Sequence, residues 1–337
     1  MSETVKQPLR FGVLGAAKIT PTALIRPSRE GDEAEVVVVA ARDSSRAEQF
    51  ARQHGIARAV MDYAAVVRDP EIEAVYNPLP MSLHAEWTIA ALRAGKHVLC
   101  EKPFAANARE ARQMVETAQT AGRVLAEAFH YRFHPVFERI LAIVHTGMLG
   151  RLRRVEGRFT VAITDTADFR HHFETAGGAT MDLGCYPLHW LRHVTGEQPR
   201  VLRAQAREGN PRVDVTMTAE LVFPSGVTGS IYTSMAPDEH YAASLSIEGK
   251  AGSLWADNPL APHDGHRITL RVGNTETTEQ LDTHTTYRHQ LVAFVAAVRS
   301  GVLLPTGGFD AIGNMDLIDG VYRAAGMPVR GSPVEQR

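Results

Sequence analysis

Residues 9 to 128 alternate short apolar runs with amphipathic stretches, and no other feature of the chain limits its fold as much. The runs are LRFGVLG, AEVVVVAA, EAVYNPL, KHVLC and GRVLAEA. Between them, SSRAEQFARQHG, SLHAEWTIAALRAG and NAREARQMVETAQTAG repeat apolar residues at three- and four-residue spacing, the period of a helix with one buried face. Gly55, Gly95 and Gly122 stand where a left-handed residue would stop each helix. A strand that is apolar throughout is covered on both faces, and strands separated by helices pair in parallel. The spacing therefore predicts an α/β domain, a doubly wound Rossmann-type parallel sheet, over residues 1–128.

A further amphipathic helix is expected over about 131–146, ending at Gly147 and Gly150. After it the texture changes. RLRRVEGRFTVAI, RVDVTMTAELVFPSGVTGSIYTSM, ASLSIEGKAGSLWA and HRITLRVGNTETTEQL alternate polar and apolar residues, as antiparallel strands do. PSG, EGKAG and VGNT read as hairpin turns. Two helices, about 286–300 and 308–326, close the chain. Residues 129–337 thus read as an α+β domain built on a large, mostly antiparallel open sheet, for substrate binding and oligomerisation. Its final helices could pack back on the first domain.

At 337 residues, two domains are the natural division. The hydrophobic share of 44% and charged share of 22% are those of an ordinary globular protein. A net charge of −2 provides no global field to hold nucleic acid, and Arg151, Arg153 and Arg154 fit a solvated strand edge. No apolar run approaches the roughly 18–20 residues that span a bilayer. The start, MSETVKQPLR, has no hydrophobic signal core. Cys100 and Cys185 are the only cysteines, which argues against a disulfide framework and suits a reducing cytosol. The expectation is a soluble cytoplasmic protein.

The first strand ends in GVLGAAKIT. A dinucleotide fingerprint wants glycines where the backbone approaches pyrophosphate, with a helix N-terminus facing the anion. The three positions fall here on Gly15, Ala17 and Thr20, so one is glycine, yet the turn follows the first strand and opens a helix, where the fingerprint belongs. Gly15, Ala16, Ala17 and Ile19 are candidate cofactor contacts. The second strand ends in VVVVAARDSSRA, with Ala41 where an NAD site carries the acid that bonds ribose. Arg42, Ser44, Ser45 and Arg46 follow, and guanidinium and hydroxyl groups suit the 2′-phosphate of NADP. A serine N-cap with an exposed first-turn arginine would read the same way. Asp43 can pair with either arginine or with the ribose. NADP is expected in preference to NAD.

KHVLCEKP delivers Glu101 and Lys102 at the end of an apolar strand, before Pro103 ends the ladder. Further on stands GGATMDLGCYPLH (177–189), with Asp182, Gly184 and Tyr186 at alternate positions. A strand followed by EKP, then Asp-x-Gly-x-(His/Tyr), in an α/β domain followed by an open antiparallel sheet, resembles the glucose–fructose oxidoreductase / inositol dehydrogenase family (Gfo/Idh/MocA). AVYNPLPMSLHAEWTIAALRAGKHVLCEKP is similar to the branch holding aldose dehydrogenases, sugar ketoreductases and dihydrodiol dehydrogenases.

The resemblance implies hydride transfer between nicotinamide C4 and a carbinol or carbonyl carbon of a sugar, polyol or cyclic diol. It makes Lys102 a catalytic residue, with a cis Lys102–Pro103 bond fixing its direction. It puts Tyr186 at the catalytic His or Tyr position, with Asp182 as the acidic residue beside it. Asp182 and Tyr186, four apart, share a face at a helix start, and Pro187 fits there only within the first turn. An ordinary phenol ionises near pH 10, so work at neutrality needs about 3–4 kcal/mol of help, which a lysine ammonium can provide. The family pattern also implies that Asn77, Pro78 and Leu79 floor the nicotinamide site, with His84 and Glu101 beside them. It suggests Tyr131, Arg170 and His189 as substrate contacts.

Fifteen histidines raise the question of a metal, since His130 with His134, and His189 with His193, have the four-residue spacing of helix ligands. Neither cysteine has a CxxC partner, and the Lys102–Tyr186 chemistry needs no ion, so no metal is expected. The alternative class is a cofactor-binding sensor that has kept the fold without turnover; the joint presence of Lys102, Asp182 and Tyr186 favours an enzyme. The uncovered face of the second sheet, taken to be apolar, predicts a homodimer or homotetramer through that sheet. The expected ligand is a small molecule, and the residues leave its identity and the direction of reaction open.

Overall fold

The computed structural model describes residues 7–282 and 284–331. Met1 to Lys6, part of the stretch read for export, lie outside them. The strands, in chain order, are β1 (Leu9–Leu14), β2 (Ala34–Ala40), β3 (Arg58–Val60), β4 (Ala74–Asn77), β5 (His97–Cys100), β6 (Leu125–Glu127), β7 (Leu152–Thr160), β8 (Arg200–Glu208), β9 (Asp214–Val222), β10 (Thr228–Ser234), β11 (Ala242–Gly249), β12 (Gly252–Asp257), β13 (Arg267–Val272) and β14 (Thr275–Glu279). The α-helices are α1 (Arg26–Arg29), α2 (Ser44–Gln53), α3 (Tyr63–Arg68), α4 (His84–Arg93), α5 (Ala108–Ala121), α6 (Pro135–His145), α7 (Cys185–Thr195), α8 (Thr286–Ser300) and α9 (Phe309–Ala324). They form two compact units. One comprises residues up to Ala105 with Arg109–His130 and Thr285–Ala311, and the other comprises Ala106–Ala108, Tyr131–His284 and the chain from Ile312.

The first unit is a six-stranded parallel sheet in the order β3-β2-β1-β4-β5-β6. Its inner strands are buried on both faces, as their composition predicts: Val37 to Ala40 are all buried, and so are Leu9, Phe11, Val13 and Ala74 to Asn77. Register places Val13 opposite both Val39 and Tyr76, and Asn77 opposite Cys100, so the carboxyl ends of β1, β4 and β5 lie together. The late helix α8 belongs to this unit. It buries Leu291, Phe294 and Val295 in the same core, with the Phe294 ring 5.8 Å from that of Phe11. Arg288 ties its start to Glu33, and Arg299 ties its end to Glu73.

The second unit is an eight-stranded mixed sheet in the order β14-β13-β12-β11-β7-β10-β9-β8, antiparallel except where β10 runs parallel to β7. Helix α7 packs against one face. A side chain at Gly157 on β7 would put a Cβ 2.6 Å from that of Pro187, so a glycine is needed where the helix crosses. The opposite face corrects an expectation. It is largely polar, presenting Arg158, Glu156, Ser230, Tyr232, Thr218, Glu220, Ser244 and Ser246, with Trp255 as an exposed apolar group among them. Arg158 lies over the Tyr232 ring at 4.9 Å and bonds Glu239.

Strand β8 was not expected from the sequence, and its burial explains why: at the sheet edge it alternates exposed and half-buried residues, with none fully buried. As a check on the placement of α8, Phe294→Ala should cost about 3–5 kcal/mol of unfolding free energy, whereas Val292→Ala, on the exposed side of the same helix, should change it by under about 0.5 kcal/mol. Urea titration of both variants measures the difference.

Candidate active site

In the first unit, Gly15 ends β1 at φ +91° and donates its N–H to the Ala40 carbonyl at 2.7 Å. A Cβ there would lie 3.1 Å from Leu79, so the β1 turn and the β4 turn approach as closely as a glycine permits. Ala16 is buried, while Ala17 and Ile19 are half-buried. The helix that follows starts as a π-turn, Pro21–Ile25, before α1. Thr20, at its start, is fully buried, and its hydroxyl has no hydrogen-bond partner among the described residues. A strand-end glycine, two alanines and an unmet buried hydroxyl at a helix start fit the pyrophosphate end of a dinucleotide.

At the end of β2, the Asp43 carboxylate accepts the Arg46 N–H at 2.7 Å and caps α2. The serines are therefore not the cap: Ser44 is the first residue of the helix. Arg46 also donates from its guanidinium to the Ala16 carbonyl at 3.0 Å, linking the two turns. Arg42 is exposed and makes no ion pair among the described residues, and Ala41 is buried.

The ends of β4 and β5 are locked to each other. Asn77, fully buried, donates to the His84 carbonyl (3.2 Å) and to Thr88 Oγ1 (3.1 Å), and accepts the Leu79 N–H (3.4 Å). It thereby holds the buried Pro78–Leu79 turn against the start of α4. His84 sets Nδ1 2.9 Å from the Pro103 carbonyl and Nε2 2.7 Å from the Leu79 carbonyl. Burial pushes its pKa down to about 4, against the pull of those carbonyls. The ring thus lies between the Pro103 carbonyl and the Pro78–Leu79 turn, and its one neutral N–H donates to one of the two carbonyls. Glu101 is buried, accepting the Tyr76 hydroxyl at 2.6 Å and the Lys102 N–H at 3.3 Å, and burial followed by Glu101's charge holds Tyr76 well above its ordinary pKa. Lys102 is half-buried just beyond β5, and its bond to Pro103 is cis.

In the second unit, GGATMDLGCYPLH forms a π-turn, Thr180–Gly184, that runs into α7. Pro187 lies in the first turn of α7. Asp182, Tyr186 and His189 are all buried. Arg170 donates through Nε to Asp182 at 2.8 Å and through Nη1 to Asp168 at 3.0 Å, and the Asp182 charge raises its pKa. Expected as a substrate contact, Arg170 is engaged as the partner of Asp182, a pairing that a spacing of 12 residues through an irregular loop did not signal. Tyr131 and His189, also expected as substrate contacts, hydrogen-bond each other through the phenol and Nδ1. The Tyr186 ring sits 6.0 Å from that of Tyr131 and edge-on to Phe159 at 5.5 Å.

The four-spaced histidines have protein partners. His130 pairs with Thr286, His134 caps α6 through Val136 and contacts the His284 carbonyl, and His193 accepts from Arg132.

Residues 9–129 match the oxidoreductase family with an NAD-binding Rossmann fold, and residues 137–255 match the Gfo/Idh/MocA C-terminal domain. The chain belongs to the Gfo/Idh/MocA oxidoreductase family. It is 34% identical to the D-xylose 1-dehydrogenase (NADP(+)) 2 of Haloferax volcanii, over 94% of this chain and 97% of that one. It is 36% identical to a dTDP-3,4-didehydro-2,6-dideoxy-α-D-glucose 3-reductase of Streptomyces violaceoruber, over 88% and 87%. Among solved structures, a 3-ketoreductase from Actinomadura kijaniata in complex with NADP and TDP-benzene superposes with a TM-score of 0.87 at 28% identity, over 94% and 98%. No described helix is long and apolar enough to cross a membrane.

His84 gives this site a pH signature. Its folded pKa, near 4, lies below the ordinary 6.5, so below pH 6.5 the unfolded chain takes up a proton that the folded chain refuses. Stability is therefore lost as pH falls from 6.5 towards 4, by up to about 1.4 kcal/mol per pH unit from this group. Between pH 7 and pH 5 the unfolding free energy of the wild type should fall by about 2 kcal/mol more than that of His84→Gln. Equal losses in the two proteins would show that His84 titrates normally.

Proposed function

We propose that the chain is an NADP-dependent oxidoreductase acting on a carbinol or carbonyl carbon of a sugar, polyol or cyclic diol, with Lys102 and Tyr186 as its acid–base pair. The observation that carries this reading is full-length similarity to sugar oxidoreductases together with both motifs at element ends: EKP after β5, and DLGCY at the start of α7. Arg42, without an ion pair among the described residues, and Arg46 support a 2′-phosphate, since Asp43 is committed to capping α2. The xylose dehydrogenase is named for NADP(+), and the solved ketoreductase contains NADP. Structures of that ketoreductase include variants with a lysine or a tyrosine replaced.

When bound, the nicotinamide supplies or accepts hydride at C4. Tyr186 carries the proton, taking it from the substrate hydroxyl in oxidation and returning it in reduction. The ammonium of Lys102 lowers the cost of the phenolate and polarises the reacting oxygen. Asp182, oriented by Arg170, accepts a neighbouring hydroxyl, which is why a polyhydroxylated substrate suits the chain. Assembly into a dimer or a tetramer is assigned to the polar face of the eight-stranded sheet; a monomeric mass by light scattering would remove that assignment.

Two measurements test the reading. NADPH should bind more tightly than NADH by fluorescence titration, and Arg42→Ala should weaken NADPH by about tenfold or more, the worth of a charge-assisted hydrogen bond. Lys102→Met should lower turnover by about 10²- to 10⁴-fold while sparing NADPH affinity. Turnover at the wild-type rate in that variant would take the lysine out of the reaction. Tight cofactor binding without turnover on any sugar or diol would leave a sensor instead.

A further inference from the structure

The second unit contains a fully buried ion pair that the reaction above does not use. Arg330, close to the end of the described chain, and Asp214, at the start of β9, are each 0% exposed and lie 2.8 Å apart through Nη2 and Oδ1. The carboxylate also accepts the Tyr322 hydroxyl at 2.9 Å on Oδ1. Its Oδ2 accepts both the N–H (2.7 Å) and the hydroxyl (2.6 Å) of Thr180. Arg330 in turn donates through Nε to the Gly177 carbonyl at 2.6 Å and through Nη1 to the Pro328 carbonyl at 2.8 Å, and its guanidinium lies 4.0 Å from the centre of the Tyr322 ring. Asn107 bonds the Arg330 carbonyl from another part of the unit.

These bonds converge on the segment that carries Asp182 and Tyr186. Thr180 N–H lies at the start of the π-turn, one of the donors that a helical start leaves without an internal partner. Asp214 meets it from a neighbouring strand, as a cap supplied from a distance. Gly177 lies just before it, held by the same arginine. Gly178, between them, has φ +137°, and a Cβ there would lie 2.2 Å from Asp214 Oδ1, 2.7 Å from the Tyr322 hydroxyl and 2.8 Å from Arg330 Nη2. The backbone fits into the pair so closely that only glycine is accommodated. A buried ion pair is a poor source of net stability, because the desolvation of both charges offsets their attraction. Its bonds instead fix the direction in which the 177–180 backbone enters the π-turn.

We propose that Asp214, Arg330 and Tyr322 are positioning residues, a buried clamp that sets the entry of the Asp182–Tyr186 segment. Its kinetic consequence rests on the hydride-transfer reading above; its structural consequence does not. Arg330→Met alone strands a buried carboxylate, so the informative variant is the double change Asp214→Asn with Arg330→Met, which removes both charges together. It should melt cooperatively and bind NADPH like the wild type, while amide hydrogen exchange over residues 177–188 quickens. Its kcat should fall about 10- to 100-fold with a smaller change in KM, the cost of a misplaced reacting group. Exchange and kcat both at wild-type values in the folded double variant would overturn the clamp. If that protein does not fold, Tyr322→Phe, which removes one hydroxyl and leaves the pair intact, is read the same way: faster exchange at 177–188 supports the clamp, and unchanged exchange overturns it. Should the wild type turn over no sugar or diol, the hydride-transfer reading fails on its own, and exchange alone decides the clamp.

Discussion

The ladder between β4 and β5 closes with the Glu101 N–H on the Asn77 carbonyl at 3.0 Å, and the arrangement of the turns after both strands depends on that bond. It sets Asn77 opposite Cys100, which puts the turn after β4 and the Glu-Lys-Pro turn after β5 side by side. His84 then bridges the two turns, and Tyr76 reaches from one strand to Glu101 on the next. A slip of one residue would exchange the two faces of β5 and send Glu101 and Lys102 to opposite sides. The register is protected by burial on both faces, where Val75, Tyr76, Val98 and Leu99 have almost no exposed surface. A core strand can therefore end in two charged residues: the apolar part fixes the direction, and the charged part uses it.

Buried polar groups need partners, and this sorts the residues that the family pattern nominates. Asn77, His84 and Glu101 have side-chain atoms bonded within the scaffold, and the bonds from Asn77 to His84, from His84 to Pro103 and from Tyr76 to Glu101 join separate segments of the unit. Asp182 is turned by Arg170, and His189 is paired with Tyr131. Such residues shape the site by holding backbone and neighbours in place. A pattern that marks them cannot separate holding from touching, because both roles fix the residue type.

The sequence shows most where burial imposes a period. The uninterrupted VVVV of β2 has one environment available to it, and the helix expected at about 286–300 is found at Thr286–Ser300, bounded by a Thr285 cap and Gly301 in the left-handed region. It shows least where structure is decided by distant partners. The three-residue β3 is too short to display a period, and β8 has no fully buried residue to create one. The π-turns at Pro21–Ile25 and Thr180–Gly184 widen a helix without a residue signature. The Asp43 cap was obscured by two adjacent serines of equal capping chemistry, and only the backbone decides among them. The polar face of the large sheet was misjudged for a related reason. Alternation reveals which residues face away from the core, but long arginines, tyrosines and hydroxyls can cover an open sheet as well as apolar groups can.

The π-turn at Thr180–Gly184 also affects how Asp182 and Tyr186 can cooperate. In a regular helix, residues four apart lie on one face. A π-turn adds a residue to the ring, so the same spacing across it falls short of a full turn and rotates the two side chains relative to each other. Arg170 fixes Asp182 from the loop side, while Phe159 and Tyr131 confine the Tyr186 ring from the sheet side and the α6 side. Each group thus has neighbours of its own that help to aim it. In the proposed reaction separate support of this kind would be useful, since the carboxylate would hold a hydroxyl that does not react and the phenol would act on one that does. The geometry of a vicinal diol, two hydroxyls on adjacent carbons, calls for two independently aimed groups of this kind.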